Sequence, residues 1–367
     1  MDASPFHRGE RVAQALAGVV NPGHAIRTAM PLQHQGFFPM LAYVFLGAVD
    51  ASGWPLATVV TGPRGFVHAP DPVTLRIDAL PDAGDPANAG LVAGRELGVL
   101  GIDLATRRRN RANGRIAQRD ARGLTVAVRQ NFGNCPQYIQ RRGVHRLPDV
   151  APGGFAPWAV PGGDAPPAGP GGVAPAVADS ALRPQATAGQ VPPAMPAGDA
   201  PPDAPIRDAP RASPVLVAPL VALDDAARRL IAAADTLFVA SRSGPGSGEA
   251  GGADISHRGG RPGFVRLAGD TLTIPDFHGN GYFNTLGNLL GEPRAALLFI
   301  DFEQGDLLQL QGTTEIDWNP SAAGQIEGAE RSWRFQISRA WRRTGALPLR
   351  WSFIDYAPTT LRTGTWP

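Results

Sequence analysis

The chain contains no lysine; its 34 basic residues other than histidine are all arginine. A lysine Schiff base to pyridoxal phosphate is therefore excluded, as is a P-loop lysine on nucleotide phosphates. Any anion must be held by guanidinium groups, backbone N–H groups, hydroxyls or amides. There is one cysteine, Cys135, so no internal disulfide can form and a structural zinc site lacks thiols. No run of about 18 apolar residues occurs, and the opening MDASPFHRGE has no apolar signal core. The expectation is a cytoplasmic protein with no membrane partner. Net charge is only +2, which provides no broad basic field for nucleic acid. No glycine-rich phosphate turn joins a strand to a helix, so an embedded nicotinamide domain is not expected.

What is present comes in two copies. The phrase GPRGFVH begins at Gly62 and GRPGFVR at Gly260. The same register pairs Asp78 with Asp276, Leu91 with Leu289, Leu100 with Leu298 and Gly114 with Gly312. It also pairs Ile102 and Asp103 with Ile300 and Asp301. A register shared over this span indicates a tandem duplication, each copy long enough to be a domain. Between the copies, Ala151–Pro214 is dominated by Ala, Pro and Gly. Such a composition cannot offset its ordering entropy by burial, so it reads as a flexible linker able to span about 45 Å. The expected organisation is an N-terminal barrel over 1–150, the linker, and a C-terminal barrel over 215–367.

Each copy opens on a helix. In the first, Ser4 is placed to cap and Pro5 to occupy the first helical position. In the second, LDDAARRLIAAAD carries two acidic residues at its start. Short β-rich runs with glycine turns follow, then a brief helical segment, a buried strand and its partner. Many short strands and few helices indicate a mainly β, antiparallel barrel fold.

Two strings carry the chemistry. SHRGGRPGFV from Ser256 combines glycines that let a ligand approach the backbone with Arg258 and Arg261 for an anion. Its plain alternative is a glycine-rich hairpin with surface arginines. PDFHGNGYFNTLGNLL from Pro275 joins a glycine turn to a short helix, with Asn280, Asn284, Thr285 and Asn288 near its start. Free N–H groups, amides and a hydroxyl there suit a phosphate, and equally suit ordinary capping. His257 and His278 flank this region without the spacing of a metal helix, so no metal site is expected. His257 is a candidate proton donor, and no other catalytic group is compelled.

In their order along the chain these strings resemble the flavin-binding split-barrel proteins related to pyridoxamine phosphate oxidase. The match runs from about Ala234 to Trp318. The resemblance implies a barrel that binds FMN, commonly where two barrels meet. Ser256, Arg258 and Gly259 match one motif; Asn280, Thr285 and Asn288 match another. Arginine and the helix-start amides would then hold the phosphate, with the ring along the strand of Phe264 and Val265. Copy one departs from this, with Thr58 and Val60 opposite Ser256 and Arg258, and Asp82, Ala87 and Gly90 opposite Asn280, Thr285 and Asn288. It instead carries TRRRNRANGR from Thr106 and NFGNCPQYIQRR from Asn131, which resemble the family's basic strand and its F-x-x-C-P segment. The features are divided between the copies. The expectation is a pseudo-dimer of split barrels with one FMN at the interface, Arg109 and Arg111 reaching it from copy one. As a strand, Arg107, Arg109 and Arg111 would share one face. A solvated barrel face and nucleic acid are the rival readings of that run.

The function expected is that of an FMN-binding flavoprotein, acting as an oxidoreductase on a small molecule and supplied by a separate reductase. A non-catalytic flavin or haem carrier and a ligand-less structural pseudo-dimer are the alternatives. An intact homodimer would also bring the two sets of features together. Pyridoxamine phosphate oxidation itself is not expected, because a lysine-free chain has few ligands for two phosphorylated molecules.

Overall fold

The computed structural model describes residues 4–147, 219–220, 222–319 and 326–366. The linker expected over Ala151–Pro214 lies outside the described residues. Copy one begins with helix α1 (Arg8–Leu16) and the single turn α2 (Leu32–Gln35). Strands β1 (Tyr43–Val49), β2 (Pro55–Thr61), β3 (Val67–Asp71) and β4 (Thr74–Ile77) follow. Then come β5 (Glu96–Asp103), β6 (Arg108–Arg119), β7 (Leu124–Gly133) and β8 (Arg141–Arg146). Copy two has α3 (Asp225–Ala233), β9 (Thr236–Arg242), β10 (Ala253–Gly259), β11 (Arg266–Ala268) and β12 (Thr271–Phe277). It continues with α4 (Asn284–Gly291), β13 (Arg294–Ile300), β14 (Leu307–Asp317), β15 (Ala329–Arg343) and β16 (Leu349–Asp355).

Seven strands of each copy form one antiparallel sheet, in the order β2-β1-β5-β6-β7-β4-β3 and β10-β9-β13-β14-β15-β12-β11. The two orders correspond strand for strand, and each sheet curls round its own core. The fold is mainly β, two split barrels in tandem.

The barrels meet over a third apolar layer, and β1 shows why its whole length is apolar. Val44, Leu46 and Ala48 face the first barrel's core. The alternate residues Tyr43 and Phe45 face the partner barrel. With both faces covered, every residue of β1 is buried. β9 repeats this, sending Leu237 and Val239 inward and Phe238 and Ala240 to the interface. Phe45 and Phe238 hold equivalent places and stack on one another at 3.6 Å, 16° from parallel. Self-pairing of equivalent residues marks a local two-fold axis. The final strands obey it too, β8 pairing antiparallel with β16 across the copies.

The start of α1 differs from the sequence reading. The helix begins at Arg8 rather than at Pro5, and His7 caps it, its ring accepting from the Gly9 N–H. Glu10 reaches back to the His7 N–H at 2.9 Å and closes a capping box. The Ser4 hydroxyl accepts from Phe6 N–H instead. α1 packs against α4 of the second copy, whereas α3 packs on β11 and β13 of its own. The two leading helices are therefore not equivalent in place. Among the described residues no helix is long and apolar enough to cross a membrane.

Candidate functional site

Strand alternation builds the first wall of the site. Ser256 to Gly259, readable as a hairpin turn, continue strand β10. On it Asp254, Ser256 and Arg258 are alternate residues and share a face. On β6 of the other copy, Arg109, Arg111 and Asn113 do the same. The two faces meet at Asp254, which is 3 % exposed. Arg111 Nη1 donates to both its oxygens at 3.1 Å, and Asn113 Nδ2 donates at 2.8 Å. The same Nη1 reaches Asn284 Oδ1 at 3.1 Å, so Arg111 ties β10 and α4 of one barrel to β6 of the other.

Beside this clamp lies a cleft of about 440 Å³, lined by Arg111, Arg258, Phe277, the start of α4, Trp318 and Arg331. It continues into a narrower lobe of about 80 Å³ bounded by Arg109, Cys135, Tyr138, His257, Gly259 and Phe264. Both copies contribute to the walls. The start of α4 opens onto the larger lobe: its N-cap is Phe283, in a left-handed conformation with φ 60°, and no side chain caps the helix. The first N–H groups of that helix therefore lack a side-chain acceptor.

The cleft carries both signs, with arginine in excess. Arg109, Arg111, Arg258 and Arg331 line it, with the carboxylates of Asp276 and Glu330. Asp254 serves Arg111. Asp276 lies 3.7 Å from Arg258 and is held more closely by Arg331 at 2.7 Å. Among the described residues no carboxylate pairs with Arg109. Burial, reinforced by Arg111 and Arg258, pushes its guanidinium down to about 9, which leaves it a cation at neutral pH. The Nε atoms of Arg109, Arg111 and Arg258 are buried without a hydrogen-bond partner. Buried donors left unpaired are costly, and the three arginines that carry them line the two lobes.

His257 stands behind Arg109. Its Nδ1 faces Arg109 Nη1 at 3.5 Å, so Nδ1 is the acceptor and Nε2 carries the hydrogen. Burial, with Arg109, Arg258 and Arg142, lowers its pKa well below the ordinary value. The ring is neutral near pH 7, and Nε2 has no partner. It can offer one hydrogen bond but no readily released acid proton. Gly259 is required by contact between the copies. A Cβ there would lie 1.9 Å from the carbonyl oxygen of Tyr138, in the segment that follows β7.

The other expected site residues divide into two groups. Asn280, Asn284 and Thr285 line the larger lobe. Asn280 accepts from Tyr282 N–H, and Asn284 donates to Glu10 at 2.5 Å. Thr285 exchanges a 2.7 Å bond with Ser256, whose hydroxyl is wholly buried. Phe264 lines the narrow lobe. Two residues lie elsewhere. Asn288 faces away, held by His7 Nε2 at 2.9 Å and donating to Ser241 at 3.0 Å, because α1 covers that side of α4. Val265 points into the second barrel's core. Arg107 is not on the arginine face either: it sits in the turn before β6 with φ 56°, bonded to Ile139 O and Asp355. Arg108 is exposed over the ring of Phe37. Asp254, Phe277, Trp318 and Arg331 were not singled out in the sequence. Asp254 could have been, two residues before Ser256 on the same strand face.

No family model matches the chain, and no curated protein matches it. Several solved structures do. A protein related to general stress protein 26, of the pyridoxinephosphate oxidase family, from Clostridium acetobutylicum is 12 % identical; the match covers 35 % of this chain and 92 % of that one, with a TM-score of 0.26. The heme storage protein HutZ from Vibrio cholerae is 10 % identical over 33 % of this chain and 94 % of its own, TM-score 0.24. A FAD-binding protein from Mesorhizobium loti is 14 % identical over 35 % of this chain and 99 % of its own, TM-score 0.25.

Proposed function

We propose that the cleft between the barrels binds a phosphorylated flavin, FMN, and that the chain acts as a flavoprotein oxidoreductase on a small molecule. The observation that carries this reading is the lining of one cleft by Arg109, Arg111 and Arg258 together with the start of α4, which no side chain caps. That arrangement suits an oxyanion. The larger lobe falls within the roughly 300–1,000 Å³ of small-molecule sites, and Phe277, Phe283 and Trp318 give it apolar wall beside the charge. Arg258, Arg111, Thr285 and the α4 N–H groups would hold the phosphate.

When bound, a flavin supplies hydride and electron transfer. This chain's residues supply position and charge. Arg109, lacking a carboxylate of its own, favours whatever negative charge develops in the narrow lobe. Neutral His257 offers a hydrogen bond there. Electrons would come from a separate reductase.

Titration of the protein with FMN, followed by flavin fluorescence, tests the site. Arg258→Ala is expected to weaken binding at least tenfold. Val60→Ala, at the matching place in copy one, should lower thermal stability without changing affinity. Equal losses of affinity would defeat the assignment. Bleaching of the bound flavin by NADH or NADPH, with or without a reductase, separates an oxidoreductase from a carrier. A Soret band in the purified protein would replace flavin with haem.

A further inference from the structure

The local two-fold axis through Phe45 and Phe238 makes a second junction between the barrels, with the roles of the copies exchanged. The strand registers fix its residues. Leu100 pairs with Arg111 as Leu298 pairs with Gln309, so Gln309 takes the place of Arg111. Arg111 pairs with Phe132 as Gln309 pairs with Trp341, so Arg343 takes the place of Asn134. Thr58 replaces Ser256, and Asp85, the N-cap of the helical turn Pro86–Ala89, replaces Phe283.

At this second junction the space is filled from within. The Asp85 carboxylate is 2 % exposed. Its Oδ1 accepts from Ala87 N–H at 2.8 Å and from Gln309 Nε2 at 2.9 Å. Its Oδ2 accepts from the Thr58 hydroxyl and from Arg343 Nη1, the latter at 2.7 Å. A hydroxyl from the second strand, an N–H at a helical start, and amide and guanidinium donors from the opposite barrel surround one carboxylate. These are the classes of donor that line the open cleft: Thr285 and Ser256, the first turn of α4, and Arg111. Burial raises the Asp85 carboxyl above its ordinary value, and the Thr58, Gln309 and Ala87 bonds oppose that rise. Burial lowers Arg343 to about 10, which leaves it a cation at neutral pH.

We propose that the second junction is a latent oxyanion site whose ligand is built into the chain: the Asp85 carboxylate takes the place of a free small oxyanion. Phe283 in its place leaves the first junction open. The inference stands on the second junction alone, so the FMN titration of Arg258→Ala can fail without affecting it.

Removing the built-in carboxylate should make the site answer to a free one. In the full chain, Asp85→Ala leaves the Thr58 hydroxyl without its acceptor, Arg343 with Asp82 alone and Gln309 with the Ala57 carbonyl alone, and the melting temperature is expected to fall by about 5–10 °C in chloride. Sodium formate at the same ionic strength should restore most of that loss, saturably, and should leave the unaltered protein unchanged. If the variant does not fold in chloride, recovery of folded protein on refolding in formate is the equivalent readout. In Asp85→Ala/Arg343→Met the guanidinium is gone, and the formate response should disappear. A loss that formate does not reverse would reduce Asp85 to an ordinary cap and ion pair. A saturable response surviving in the double variant would also overturn the proposal.

Discussion

Replacing Arg111 with alanine is expected to destabilise the protein by about 3–5 kcal/mol and to weaken anion binding in the cleft at least tenfold, whereas Asp254→Ala should cost comparable stability and tighten binding. The two residues form one buried ion pair across the barrels, at 5 % and 3 % exposure. Breaking such a pair leaves a charge in a low dielectric, which accounts for the penalty on either side. Their effects on a ligand differ in sign. Arg111 lines both lobes of the cleft, so its loss removes attraction. Asp254 neutralises Arg111 from behind, so its loss uncovers a full positive charge beside the ligand. Urea unfolding reads the stability, and FMN or inorganic phosphate titration reads the affinity. If Asp254→Ala weakened binding as Arg111→Ala does, Arg111 would act only as an interbarrel clamp and the cleft would not be an anion site.

The contrast between these residues also shows what was readable beforehand. The arginines were visible because guanidinium groups in a chain without lysine stand out, and alternation on β6 placed Arg109 and Arg111 together. The same alternation carries Asp254 beside Ser256 and Arg258, yet a lone aspartate two residues from a motif has no signature until its partner is known. That partner is 143 positions away. The succession of short strands along each copy was legible because period-two patterning and glycine turns are local. The pairing of β12 with β15, which sets Arg331 opposite Asp276, is not local and left no trace in either string. Asn288 misled for a related reason. An asparagine near a helix start serves a ligand or a neighbouring helix equally well, and the packing of α1 decides between them. Asp85 shows the converse: the aligned copies put Asp82 opposite Asn280, but the residue that fills the place is three positions on and is recognisable only through Gln309 and Arg343 of the other barrel.

Glu10 should make both stability and ligand affinity fall as pH rises toward 8, and Glu10→Gln should abolish that part of the pH profile. The carboxyl lies between α1 and α4 beside a polar pocket of about 20 Å³, room for a single water. Burial pushes it up to about 8, with Asp254 adding to the rise; bonds from Asn284 and His7 and the charge of Arg111 oppose it. Its unfolded value is near 4.5. Between these values the folded chain binds the proton and the unfolded chain does not, so stability present below about pH 4.5 is lost as pH climbs through 8. The shift corresponds to at most about 5 kcal/mol. The neighbouring His7 has its pKa lowered, chiefly by burial, and His257 is lowered in the same way. These two weaken the fold on the acid side instead, so the difference between wild type and Glu10→Gln isolates the carboxyl. Glutamine has one acceptor oxygen for the two that Glu10 offers to His7 N–H and Asn284, so the variant gives up one hydrogen bond, a constant offset of about 1 kcal/mol at every pH. The consequence for the cleft runs through Asn284, which joins Glu10 on one side to Arg111 on the other. An ionised Glu10 adds a second negative charge to the group that Asp254 already neutralises, so the dissociation constant for inorganic phosphate should rise as pH climbs toward and through about 8 in the wild type. In Glu10→Gln it should follow only the titration of phosphate and of the remaining groups. Identical affinity profiles would show that Glu10 is a packing residue, uncoupled from the arginines.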